Sequence, residues 1–143
     1  MKRASHIVFV VLALFAGAPA ALADEVPAAD QSAMQAIIAG QIAAFGHDDA
    51  ATAYSFASPA IKGVFTTPDA FLAMVKNGYG PIYRPRSVAM GALADSAEGP
   101  VQTVYVTGAD GQSWVALYTF QKQPDGTWKI NGVRVVKDDS PSI

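Results

Sequence analysis

Cysteine is missing from the chain altogether. That excludes a disulfide framework, a thiolate nucleophile, cysteine-bound zinc and lipid attachment at a processed bacterial N-terminus. Histidine is nearly as scarce: only His6 and His47 occur, and His6 falls in a leader described below, so no histidine dyad is available. Charged residues make up 15% of the sequence. None of the acidic ones falls inside the four segments that read as strands; Asp95, Glu98, Asp110 and Asp125 occupy loops or turns, where turn chemistry is their ordinary use. An acid or base tuned by burial inside a sheet is therefore not on offer. There is no phosphate loop and no dinucleotide fingerprint, and Ser58 before Pro59 lacks the glycines of a nucleophile elbow. The residues call for no catalytic group, no metal site and no cofactor. A basic excess is also lacking, since the formal net charge is −2, which argues against nucleic acid and anionic membrane surfaces as partners.

What is present is apolar, 51% of the chain, the balance of a globular domain rather than a disordered one. Part of it belongs to a targeting segment over 1–23. Lys2 and Arg3 form a positive start, Ile7 to Phe15 an apolar run, and Ala21-Leu22-Ala23 supplies small residues ahead of a cut before Asp24. The competing reading is a retained anchor, because Ile7 to Ala23 is uninterrupted by charge. Gly17 and Pro19 favour cleavage, since they break the helix where a peptidase needs extended chain. Cleavage removes two of the ten basic residues and leaves the rest more acidic. The expected product is exported, periplasmic in a Gram-negative source and secreted otherwise, with no stable membrane insertion once the leader is gone.

Residues 24–30 read as a loose arm, 31–136 as one α+β domain, and 137–143 as a fraying tail. Met34, Ile37, Ile38, Ile42 and Phe45 fall on one face of a 3.6-residue period, a first helix opened by Ser32 and Gln35 at capping-box spacing, with Asp30 competing, and closed by Gly46. A short second helix starts at Asp48 or Asp49 and runs to about Ala57, ended by Ser58-Pro59. A turn through Ile61, Gly63 and Phe65 leads to Thr67-Pro68-Asp69, a strong helix start, and to a helix ending at Asn77. The segment Met74 to Ser87 then hands the helical half over to a strand half. Gly78 has the place of a left-handed C′ residue, while Pro81 and Pro85 push their predecessors toward extended backbone. In an extended run Arg84 and Arg86 point to the same side.

Beyond that hinge the period changes to two, predicting strands over 87–94, 101–107, 113–121 and 128–136. Gly108 to Gly111 and Pro124 to Gly126 supply turns, so the last three strands form an antiparallel meander. In the third, Trp114, Ala116, Tyr118 and Phe120 alternate with Val115, Leu117 and Thr119, so neither face is plainly polar. Helices can cover one face; the other needs a ligand cavity or a second subunit. Simple alternation puts Arg134 on the side of Trp128 and Ile130.

The run Phe56-Ala-Ser-Pro59, Ile61, Phe65, Thr67-Pro68, Phe71, Met74-Val75, Gly78-Tyr79, Pro81, Tyr83-Arg-Pro-Arg86, Val106-Thr107-Gly108, Asp110-Gly111, Trp114, Tyr118 and Gln123 to Gly126 followed by Trp128 resembles the bacterial family of domain of unknown function 4864. The resemblance covers roughly Gln31 to Val136. It implies the cone-shaped α+β fold of nuclear transport factor 2, with N-terminal helices packed on a curved four-stranded antiparallel sheet around a pocket. It brings no activity with it.

Three groups are candidates for function. Arg84 and Arg86 flanked by Tyr79 and Tyr83 could clamp an anion; alternatively each arginine pairs with an aspartate and fixes the hinge. Trp114, Tyr118, Phe120 and Trp128 could line an apolar pocket, with Arg134 beside it, or serve as core or dimer interface. His47-Asp48-Asp49 lacks ligand spacing and reads as a helix start. The resulting expectation is a non-catalytic module binding a small acidic or amphipathic ligand or a protein, as a homodimer. A small-molecule isomerase or hydratase using the cone pocket is the alternative, and a structural accessory subunit the third reading.

Overall fold

The protein is described over residues 25–140 by a computed structural model; the predicted leader and its cleavage site lie outside the described residues. The chain's first half makes five helices: α1 (Ala28–Gly46), α2 (Ala50–Ser55), α3 (Pro59–Val64), α4 (Pro68–Gly78) and α5 (Gly80–Tyr83). Its second half makes four strands: β1 (Ser87–Ala94), β2 (Val101–Thr107), β3 (Ser113–Lys122) and β4 (Trp128–Lys137). The strands pair antiparallel in chain order, the meander that alternation and the Gly111 and Gly126 turns demand. Both glycines take positive φ, +86° each, which costs a residue without Cβ nothing. The architecture is α+β, and the strand bounds match the alternating segments to within one residue.

Helix α1 begins five residues earlier than the Ser32–Gln35 capping-box spacing predicts, and three earlier than Asp30 as N-cap would place it. Pro27 (φ −53°) stands at its N-cap without a side-chain cap. Gln31 Nε2 instead donates to Val26 O at 2.7 Å, and Trp128 Nε1 donates to Asp30 Oδ1 at 3.2 Å. These bonds and the burial of Val26 hold the expected arm against the domain from residue 26 onward. At the other end β4 reaches Lys137, and Asp138 N donates to Ser113 O at 3.0 Å, so the ladder runs past the predicted start of the tail.

Within α1, Met34, Ile38, Gln41, Ala44 and Phe45 are buried, and Ile37 and Ile42 pack beside them. Asp49 caps α2 by accepting from Thr52 N, as a helix-start aspartate should. The expected turn after Pro59 is helix α3, capped by Ser58 with proline in its first turn. Thr67 caps α4 in the same way, accepting from Ala70 N.

The hinge differs most from expectation. Gly78 is the last residue of α4, and Gly78 is not among the glycines at positive φ; Tyr79 (φ −133°, ψ 40°) breaks the helix instead. The chain then winds one more turn, α5, with Ile82 N and Tyr83 N donating to Tyr79 O. Pro81 fits because the first turn of a helix has no use for its missing N–H. The turn buries Ile82, which an extended segment would leave at the surface.

The sheet's inner face packs Val104, Val106, Ala116, Tyr118, Phe120 and Ile130 against the helices. A bulge interrupts β4, where Thr119 and Phe120 face Gly132 and Ile130 and Asn131 is the extra residue. One inserted residue reverses the parity of everything after it. Val133 and Val135 therefore turn inward, opposite Tyr118 and Ala116, and Arg134 goes to the outer face opposite Leu117. A second bulge lies in β1 between Met90 and Leu93. The buried Gln102 fills it, its Nε2 donating to Gly91 O at 2.9 Å and to Thr103 O at 2.7 Å.

Candidate functional site

Between the helices and β4 lies a pocket of about 320 Å³, toward the small end of the range that accepts organic ligands. Helix α1 contributes Gln41 and Phe45, the α3 segment Ile61 and Phe65, and α4 Phe71, Met74 and Val75. Tyr79 and Ile82 close the side where the hinge passes, and Ile130 to Val133 form the floor at the β4 bulge. The aromatic packing is centred on Phe71, whose ring lies 6.1 Å from Phe45, 5.7 Å from Tyr54 and 6.4 Å from Phe65, all tilted. Pairs at such distances add stability beyond the area they bury. Tyr54 does not reach into the chemistry of the site, because its hydroxyl donates to Phe65 O at 2.6 Å and so closes the α3 segment.

No carboxylate, imidazole, ammonium or guanidinium lines this space; its polar side chains are Gln41, Asn131 and Tyr79. Gln41 is 2% exposed and Nε2 donates to Ala53 O at 3.1 Å. That bond fixes which end of the amide is nitrogen, since a carbonyl needs a donor. Asn131 Oδ1 accepts from Ser58 Oγ at 2.8 Å. Gln41 is thus tied to α2 and Asn131 to the cap of α3, and with Tyr79 on the hinge side they are the polar points of an otherwise apolar lining.

The residues picked out in the sequence do not converge. Tyr79 lines the pocket. Tyr83 and Arg84 instead join Asp48 in a surface cluster: the Tyr83 hydroxyl and Arg84 Nη2 (2.9 Å) donate to the Asp48 carboxylate, and Lys76 Nζ lies 3.3 Å from it. The Arg84 guanidinium and the Lys76 ammonium also lie over the Tyr83 ring, 4.9 and 5.4 Å from its centroid. The Tyr83 hydroxyl first, then Lys76 and Arg84, hold the Asp48 carboxyl below its ordinary pKa, and Asp48 with Tyr83 raises that of Lys76. The cluster pins α5 and the end of α4 to the α1–α2 turn, the structural alternative for Arg84. Asp48 is no helix cap; it sits at φ 52°, a conformation aspartate tolerates better than most residues. Arg86 turns away and donates to Ala109 O at 3.1 Å, stapling the β2–β3 turn. A shared anion clamp of Arg84 and Arg86 is therefore not assembled.

Trp114 and Tyr118 belong to the inner sheet face, Trp114 half-buried and Tyr118 fully buried. The Tyr118 hydroxyl has no hydrogen-bond partner among the described residues, and burial pushes its pKa up. Arg134 is exposed on the opposite face of the sheet, far from the pocket side. Among the described residues no three His, Asp or Glu side chains gather as a metal site would require, and no helix is long and apolar enough to cross a membrane.

Two pocket residues had readable signals in the sequence. Gln41 stands seven residues after Met34 on the buried face of α1, a polar residue at a core position. Asn131-Gly132 inside an alternating run marks a bulge.

No curated protein and no solved structure matches the chain. A family match does exist, spanning residues 27–143 and so all five helices and four strands. On that match the chain belongs to the family described as Domain of unknown function (DUF4864).

Proposed function

We propose that the protein is a non-catalytic binding module whose ligand occupies the pocket between α1, α4 and β4. The observation that carries this reading is the lining: thirteen residues without an acidic or basic side chain. General acid–base chemistry needs a titratable group within hydrogen-bond reach of the reacting atom, and the isomerase or hydratase alternative has none there except the Tyr79 phenol. An apolar cavity with a few placed polar groups is what small-molecule recognition uses.

The rest of the proposal concerns the setting. The N-terminal sequence supports export with removal of residues 1–23. The outer sheet face, where Tyr105 is 50% and Val136 40% exposed, supports a homodimer formed through that face. Both stand apart from the pocket and can fail separately.

Native mass spectrometry on protein purified without denaturation from its own compartment tests all three. A dimer carrying an added small mass, and beginning at Asp24, is the expected spectrum. A bare monomer that also takes up none of a panel of small apolar compounds would remove the binding reading.

A further inference from the structure

We infer that the pocket selects an uncharged, compact, mainly hydrocarbon molecule bearing one hydrogen-bond donor, which it presents to Gln41 Oε1. The inference rests on the binding reading above and names its ligand class. An acidic ligand, the expectation drawn from the arginines, is disfavoured by where those arginines are.

Size comes first. A volume of about 320 Å³ is near the low end for pockets that take small organic molecules, which suits a one- or two-ring compound. Charge comes next. A carboxylate placed among Phe45, Phe71, Val75 and Ile130 would lose its hydration without gaining a cation, since Arg84 is engaged by Asp48, Arg86 by Ala109 O, and Arg134 is on the far side of the sheet. Burying an unpaired charge costs far more than burying a paired or neutral group.

Polarity decides the rest. Gln41 Nε2 is held by Ala53 O, while its Oε1 accepts no hydrogen bond among the described residues. The same side chain is 2% exposed and borders the cavity, so the cavity is where the free acceptor finds a partner. At the β4 bulge, Asn131 Oδ1 is taken by Ser58 Oγ, which leaves the Asn131 amide N–H groups for a ligand oxygen. A ligand hydroxyl suits either group, as a donor to Gln41 Oε1 or as an acceptor from Asn131.

The test compares three probes of one ring system at pH 7: naphthalene, 1-naphthol and 1-naphthoate, titrated calorimetrically into the purified protein and followed in amide NMR spectra. The expected result is that 1-naphthol binds at least roughly tenfold tighter than 1-naphthoate, shifts the Gly132 and Val133 resonances, and loses its advantage over naphthalene in Gln41→Leu. Asn131→Ala, at an exposed residue of the β4 bulge, should weaken 1-naphthol by a smaller factor and covers the case in which Gln41→Leu does not fold. Equal or tighter binding of 1-naphthoate would overturn the neutrality of the ligand while leaving a binding module. Equal binding of naphthol and naphthalene to the unaltered protein would overturn the role of Gln41. If none of the three binds at millimolar concentration, the binding reading itself falls.

Discussion

Ser58 Oγ donates to Asn131 Oδ1 at 2.8 Å, so the residue that caps α3 also holds the bulged residue of β4 that floors the pocket. Ser58 is fully buried, its N donates to Ile130 O at 2.8 Å, and its Oγ accepts from Ile61 N. One small side chain fastens the helical half to the sheet where the ligand would sit.

Ser58→Ala should therefore destabilise the fold by about 2 kcal/mol, combining the loss of a cap with a hydrogen bond to a partner left unpaired. Urea unfolding measures it. Paired with Asn131→Ala in a double-mutant cycle, the two losses should be clearly less than additive. Additive losses would mean the Ser58–Asn131 bond contributes nothing.

Gly91 is needed by Tyr105. A Cβ on Gly91 would stand 2.6 Å from Tyr105 Cε2 and 3.2 Å from Thr103 O, the first of which is overlap. Because Tyr105 is 50% exposed and its ring can swing outward, Gly91→Ala should cost about 1 kcal/mol, the low end for overpacking, and much of it should return in Gly91→Ala/Tyr105→Ala. What does not return measures the backbone part of the clash, seen as a residual loss of Tm.

Acid should loosen the hinge through Asp48. Its folded-state pKa lies below the ordinary value of about 3.9, so the ionised carboxylate is favoured by the fold. The contribution is present above pH ~4 and is lost as pH falls through the folded pKa. Asp49, Asp125 and Asp138 are held low as well, by Thr52, Thr127 and Ser140, so the acid dependence is shared. Asp48→Asn keeps a residue that tolerates positive φ while removing the titration. Its stability curve should be flatter than that of the unaltered protein below pH 4. Curves of equal steepness would show that the Asp48 cluster does not respond to acid.

The strands could be read from the sequence because their alternation is set residue by residue, by side chains meeting either core or solvent. Gly111 and Gly126 announced the turns for an equally local reason. Arg134 was misread because parity is not local: Asn131 adds one residue against Thr119 and Phe120, and every side chain after it changes face. The hinge was misread because the burial of Ile82 against the core outweighs the extended preference that Pro81 imposes on its neighbour. Gln41 was passed over because its amide gains meaning only when Ala53 and the β4 bulge are brought beside it. Tyr83 and Arg84 were singled out for their chemistry, and that chemistry is spent on Asp48, which no spacing rule connects to them.

Tyr118 offers the sharpest test of the core. Its hydroxyl is buried with no partner among the described residues, and an unsatisfied buried polar group costs about 1–3 kcal/mol. Tyr118→Phe removes that group and leaves the ring, so stability should stay level or rise by about 1 kcal/mol, read as a higher urea midpoint at unchanged slope. The same burial raises the phenol's pKa, so an ultraviolet titration of the native protein should show one tyrosine that ionises only as the fold is lost, and Tyr118→Phe should delete that step. A loss of more than about 1 kcal/mol in Tyr118→Phe would mean that the hydroxyl is bonded in solution, to an internal water of the kind that buried polar groups recruit.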